Sequence, residues 1–226
     1  MENNTFEILI CAYGDHPVLI KRLMESLFKY STLNHKIHVG LNVGSNDSKN
    51  YLRELLDSKK ITTLIESNIN INKDPMMRLL MDLVEVPYMV WIDDDSYINK
   101  KGWDQHLQVK MLTNQADVLG FSHCVGRTNL YSKFLETQAW YKNIVRPNAP
   151  NTCYFPIGAF WAAKCEYLRK YDYPNKQMIK RNDDMLLGDL LHQTSGSFES
   201  IGGWDDIFMV NKEHRRGDGE HGWKNF

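Results

Sequence analysis

Short apolar runs alternate with amphipathic segments through the first 92 residues, and this alternation limits the fold more than any other feature of the chain. FEILICA (residues 6–12) reads as a buried first strand. The turn signal YGDHP (13–17) follows, and then a helix over 18–30 in which Leu19, Leu23, Met24, Leu27 and Phe28 recur at helical spacing. Residues 36–43 alternate Ile37, Val39, Leu41 and Val43, giving a second strand that leads into the turn formers GSNDS and a helix over 51–56. A third strand over 61–66, a helix over 76–84 and a fourth strand, YMVWI (88–92), complete the series. Strands and helices in this order predict an α/β fold with a mostly parallel central sheet and right-handed crossovers. Such a sheet gathers its strand-end loops on one edge, here residues 12–15, 42–47, 68–78 and 93–95.

The fourth run stops at Asp93, Asp94 and Asp95. Acidic triplets are ordinarily solvated turns or helix caps. Three carboxylates at the mouth of a buried strand repel one another, however, and ligands of open α/β sheets bind at that end of the strands. Hard oxygen donors point to Mg²⁺ or Mn²⁺, with the remaining coordination positions filled by water and phosphate oxygens.

Beyond this half, a helix over 104–113 and a strand over 118–122 are expected. CYFPIGAFWAA (153–163) is apolar about a central Gly158, and a helix follows over 164–171. A further helix opens at Asp183 and Asp184 and turns Met185, Leu186, Leu187, Leu190 and Leu191 inward. The tail from residue 207 shows no hydrophobic period. At 226 residues the chain reads as one domain, 1–100 forming one half and 101–226 the other. A net charge of −1 gives no overall reason to expect an anionic partner. No leader pattern or membrane-length apolar run occurs, so a cytoplasmic protein, at most peripheral to the membrane, is expected. The scattered Cys11, Cys124, Cys153 and Cys165 read as reduced, mostly buried thiols. Neither G-x-G-x-x-G after strand one nor a Walker sequence is present, which disfavours dinucleotide redox chemistry and P-loop phosphoryl transfer.

In order and spacing these pieces resemble the GT-A glycosyltransferases, and among them the inverting family two. ILICAYGD is similar to the first-strand loop that holds the base, LNVGSND to the D-D-G-S-T-D segment, SNININKDPMMR to N-x-G-x-x-x-A-R-N, and WIDDD to D-x-D. FPIGAFWAAKCEYL resembles the stretch lining the acceptor side, and RNDDMLLG resembles E-D-x-x-L-G, which supplies the base. His214, Arg215 and Arg216 are similar to the loop closing over the diphosphate. Two departures stand out. Asn42 replaces a base-contacting Asp, and Asp183 replaces a Glu.

The resemblance implies a single Rossmann-like GT-A domain that moves a sugar from a nucleotide diphosphate sugar, UDP-linked in first expectation, to a hydroxyl acceptor with inversion. It implies Mn²⁺ or Mg²⁺ held by Asp95 and His214, with Asp93 on ribose or metal-bound water. Donor contacts fall to Ala12, Tyr13, Asp15, Asn42, Ser45, Asn72, Arg78, Asp93, Asp94 and Arg215, with Lys73 and Arg216 as further phosphate candidates. Inversion needs a base to take the acceptor proton, for which Asp184 is chosen and Asp183 held in reserve. Gly158, Trp161 and Trp204 are the expected acceptor-side residues, and Trp103 is a further ring able to stack on a sugar. The acceptor expected is a carbohydrate or glycolipid, while KEHRRGDGEHGWK leaves a nucleic-acid acceptor open. The rival readings are a nucleotidyltransferase, which would carry a Gly-rich basic loop after strand one, and a domain that binds nucleotide sugars without catalysis.

Overall fold

The computed structural model describes residues 5–126, 152–174, 183–201 and 208–210. The first half follows the expected alternation: β1 (Phe6–Tyr13), α1 (Pro17–Tyr30), β2 (Ile37–Asn42), α2 (Asn46–Asp57), β3 (Thr63–Ser67), α3 (Lys73–Met81) and β4 (Tyr88–Asp93). After the acidic turn come β5 (Ser96–Ile98), α4 (Trp103–Asn114), β6 (Val118–Gly126) and β7 (Thr152–Lys164). The chain continues through α5 (Cys165–Lys170), α6 (Asp183–Thr194), β8 (Phe198–Ser200) and β9 (Phe208–Val210).

Among the described residues seven strands form the main sheet, in the order β3-β2-β1-β4-β7-β6-β8. β1, β2, β3 and β4 pair in parallel, as do β6 and β8, whereas β7 runs antiparallel to both β4 and β6. The sheet is therefore mostly parallel, with β7 as the reversed strand. β5 and β9 make a separate antiparallel pair, Ser96 opposite Val210 and Ile98 opposite Phe208.

Alternate residues of β1 and β4 feed two cores, which accounts for their nearly unbroken apolar runs. On one face Phe6, Ile8, Ile10, Val90 and Ile92 pack with Leu23 and Met24 of α1, Leu52 of α2 and Leu107 of α4. On the other face Leu9, Met89 and Trp91 meet Met76, Met77 and Leu80 of α3, Leu168 of α5, and Leu186, Leu187 and Leu190 of α6. α3 lies close over β2 because position 40 has no side chain: a Cβ on Gly40 would stand 2.5 Å from Cγ and Sδ of Met76.

Candidate active site

The neighbours of β1 are β2 on one side and β4 on the other, so chain progression reverses between β1 and β4. A crevice at such a reversal, at the carboxyl ends of the strands, is where open α/β sheets take ligands. Tyr13 ends β1 there and Asp93 ends β4, with Cys11 directly opposite Asp93.

The acidic triplet divides among three supports. Asp93 stays half-buried, and its Oδ1 accepts from the indole N–H of Trp91 at 2.8 Å while pairing with Nζ of Lys73 at 2.8 Å. The same ammonium stands 5.3 Å from the Trp91 ring centroid. Asp94 is buried and its Oδ2 accepts from the Tyr13 backbone N–H at 2.9 Å, fastening the end of β4 to the first loop. The backbone carbonyl of Asp95, also a buried residue, accepts from Nη2 of Arg22 at 2.9 Å. Arg22 in turn lies over Tyr97 at 4.9 Å, and its Nε and Nη1 are buried with no hydrogen-bond acceptor among the described residues. Burial lowers the Arg22 pKa from its ordinary value, against the opposing pull of Tyr97 and Asp95. Sequence reading missed Arg22, since a lone Arg among Lys21 and Glu25 on an amphipathic helix looks like solvated surface.

Asn42 closes the other wall. It is buried; its Nδ2 donates to Oδ1 of Asn70 at 3.1 Å and its Oδ1 accepts from the Ile71 N–H at 3.0 Å. The same Asn70 oxygen accepts from the Asn72 N–H at 2.9 Å, and Nδ2 of Asn70 reaches the Tyr13 hydroxyl at 3.5 Å. Asn42, expected among the donor contacts, is thus buried and bonded within the protein, where it shapes the 68–72 loop. Ala12 is buried, Tyr13 is half-buried, and Asp15 and Asn72 are exposed on the same edge. Ser45 caps α2, accepting from the Ser48 N–H at 3.3 Å.

Gly158 and Asp184 come together from distant parts of the sequence. The register Ile92 opposite Phe160 puts Gly158 at the acidic end of β4. Its N–H donates to Oδ2 of Asp184 at 3.2 Å, and a Cβ at this position would stand 3.2 Å from that same oxygen. Ser96, directly after the triplet, donates through its hydroxyl to the Ala159 carbonyl at 3.2 Å. A half-buried carboxylate on the first turn of α6 is therefore tied through two residues of β7 to the acidic turn. Chemically, this edge offers carboxylate oxygens and an ammonium for a charged ligand, with a separate carboxylate able to take up a proton. Among the described residues, no three His, Cys, Asp or Glu side chains converge as a metal site.

Other expected residues lie elsewhere. Arg78 points to the far side of α3, pairing with Asp82 at 3.4 Å and with Asp172, and donating to the Pro174 carbonyl at 3.4 Å. It does not join the acidic turn. Trp161 is fully buried with its ring 6.3 Å from that of Trp91, and Trp103 is buried against Phe6 and Phe160, so neither offers a face to a sugar. Trp204, His214, Arg215 and Arg216 and the side chain of Asp183 lie outside the described residues. β9 nevertheless brings the chain to Ser96 at Val210, four positions before His214. Cys11 and Cys165 are buried and outside any disulfide, and burial pushes Cys165 up to about 11.

No family model matches the sequence, and no curated protein sequence matches it either. Solved structures do match in shape. S. aureus TarS 1-349 in complex with UDP-GlcNAc superposes with TM-score 0.61 at 14% identity, over 96% of this chain and 60% of that one. The mannosyltransferase PcManGT from Pyrobaculum calidifontis, in complex with GDP-Man and Mn²⁺, gives TM-score 0.60 at 14% identity over 93% and 58%. GalNAc-T7 with UDP, GalNAc and Mn²⁺ gives 0.65 at 8% identity over 89% and 43%. The chain thus spans well under two thirds of the length of each of these three proteins. All three superpose on this protein over most of its length, and its fold is the GT-A glycosyltransferase fold.

Proposed function

We propose that the protein is a metal-dependent, inverting glycosyltransferase that uses a nucleotide diphosphate sugar, with UDP as the first nucleotide to test. The observation that carries this reading is the Asp184 carboxylate held on the Gly158 N–H beside the acidic end of β4. A proton acceptor thereby stands next to, and apart from, a cluster suited to a diphosphate. The fold neighbours add support, since those named above are glycosyltransferases described with UDP, UDP-GlcNAc or GDP-Man, two of them with Mn²⁺.

The chain's residues divide the work. Ala12, Tyr13, Asp15 and the Asn70 loop, shaped by Asn42, border the nucleoside. Asp93 faces the ribose or the water carried by the cation, and Asp94 flanks the phosphate. Asp95 and His214 would hold Mn²⁺ or Mg²⁺. Such a site fits a cation that takes one or two carboxylates from protein and the rest from phosphate and water. The bound cation supplies charge stabilisation to the departing diphosphate. Arg215 adds a fixed positive charge to the same group. Asp184 takes the acceptor's hydroxyl proton as the oxygen bonds to the anomeric carbon; the bond to the diphosphate breaks and its electron pair leaves with the nucleotide. The acceptor is a carbohydrate or glycolipid, with Gly158 and Trp204 as its contacts. Asp183 is the second carboxylate of the pair.

Asp184→Asn is the direct test: transfer from the nucleotide sugar falls by about 10²–10⁴-fold while UDP binding persists. Unchanged turnover removes Asp184 as the base. A thermal-shift panel of nucleotides and nucleotide sugars, with Mn²⁺ and with chelator, identifies the donor; no stabilisation by any of them would sink the donor reading.

A further inference from the structure

The Lys73–Asp93 ion pair engages the part-exposed carboxylate at the end of β4 that the donor side of the reaction would use. Its geometry is specific. Nζ of Lys73 stands 2.8 Å from Oδ1 of Asp93, and the Trp91 indole N–H donates to that same oxygen at 2.8 Å. Two donors on Oδ1 leave it no lone pair for a cation. An ion approaching Oδ2 would meet the ammonium's charge a few ångströms away. The Trp91 ring beneath Nζ adds to the hold on Lys73, and α3 cannot drift outward freely because its Met76 is seated over Gly40. The side-chain exposures, 27% for Lys73 and 25% for Asp93, are large enough for both groups to meet a ligand.

We propose that Lys73 is an internal counter-ion which competes with the divalent cation for Asp93, and that the donor's diphosphate relieves the competition by drawing the ammonium to itself. Cation and nucleotide then bind with positive coupling. Either one alone has to break the Lys73–Asp93 pair, whereas together they give each member of the pair a new partner of opposite charge. Reciprocity requires each ligand to raise the affinity of the other by the same factor. This inference rests on the donor reading above in naming the diphosphate, but not in the competition between Lys73 and the cation.

The experiment is a calorimetric titration of the full chain with Mn²⁺, with and without saturating UDP, on the wild type, Lys73→Met and Lys73→Arg. Lys73→Met should bind Mn²⁺ without nucleotide about tenfold more tightly than wild type, because the competing charge is gone. Its UDP affinity should fall, and the UDP-induced gain in Mn²⁺ affinity should shrink towards none. Lys73→Arg, which keeps the charge, should retain the coupling and guards against misreading a folding defect in the Met variant. Nucleotide-free Mn²⁺ affinity that is unchanged or weaker in Lys73→Met overturns the proposal, as does a lack of Mn²⁺ binding in both proteins. The nucleotide-free arm reads the ion pair by itself, so wild type that binds Mn²⁺ but no nucleotide defeats the donor reading and leaves the competition standing on its own result.

Discussion

At the scale of single residues, Asn42 shows how a buried side chain can shape a crevice from beneath its surface. Its two polar ends are spent inside the protein, on Asn70 and on the Ile71 N–H. The Asp that the resemblance leads one to expect here would therefore be harmful. Asn42→Asp turns a donor into an acceptor facing Oδ1 of Asn70, and Asn70 cannot reverse its amide without abandoning the Asn72 N–H. A buried mismatch of this kind costs about 1–3 kcal/mol. For a chain of this size each kcal/mol lowers Tm by about 2–4 °C. Thermal unfolding of Asn42→Asp should show a fall of several degrees, and an unchanged Tm would mean that this amide does not organise the loop.

Elements were legible from sequence where one strand and its own neighbours decide them. β1 and β4 are buried on both faces, so their apolar runs predicted them to within a residue or so. α2 begins at Asn46 rather than at residue 51 because Ser45 caps it, and cap residues are the same types that form turns. α3 begins at Lys73, ahead of Pro75, since proline is tolerated in a first helical turn. The antiparallel course of β7 and the β5–β9 pair were not legible: direction and partner are set by contacts between segments far apart in the chain, and three residues such as FMV carry no period. The same reason hid the pairing of Gly158 with Asp184 as a contact, although each residue was singled out by itself. How α3 docks can be tested directly. Gly40→Ala should cost about 1–3 kcal/mol by crowding Met76. Combining it with Met76→Ala should cost less than the sum of the two single changes by at least about 0.5 kcal/mol, because the added methyl enters the vacated space. Urea unfolding of the four proteins measures this, and strict additivity would mean that Gly40 and Met76 do not share a contact.

Across the whole molecule, the two ends of the sheet carry different burdens. The carboxyl ends hold the acidic turn, while the amino ends hold two buried acid–histidine contacts, one on each face. Glu7 meets His38 at 3.0 Å, and Asp104 meets His35 at 3.1 Å. Asp104 also accepts from the N–H groups of Thr32 and Leu33, both at 2.7 Å, so one carboxylate joins the start of α4 to the α1–β2 connection. Burial pushes the Asp104 carboxyl up, but the donors His35, Leu33 and Thr32 outweigh it and hold the group well below the usual carboxylate range. A folded-state pKa below the unfolded one adds stability that is fully present above about pH 4 and is lost as pH falls towards the folded value. Asp104→Asn removes the charge that strengthens these bonds, costing about 1.5–3 kcal/mol at neutral pH. The gap between wild type and variant should narrow steadily below about pH 4, as wild type gives up the same contribution by protonation. Urea unfolding at pH 7 and at pH 3 tests both limbs, and a gap that stays constant with pH would show that Asp104 supports this end of the sheet by shape alone. Because this contact lies at the opposite end of the strands from Asp93 and Asp184, whatever UDP and Mn²⁺ affinity wild type shows at neutral pH should be unchanged in the variant.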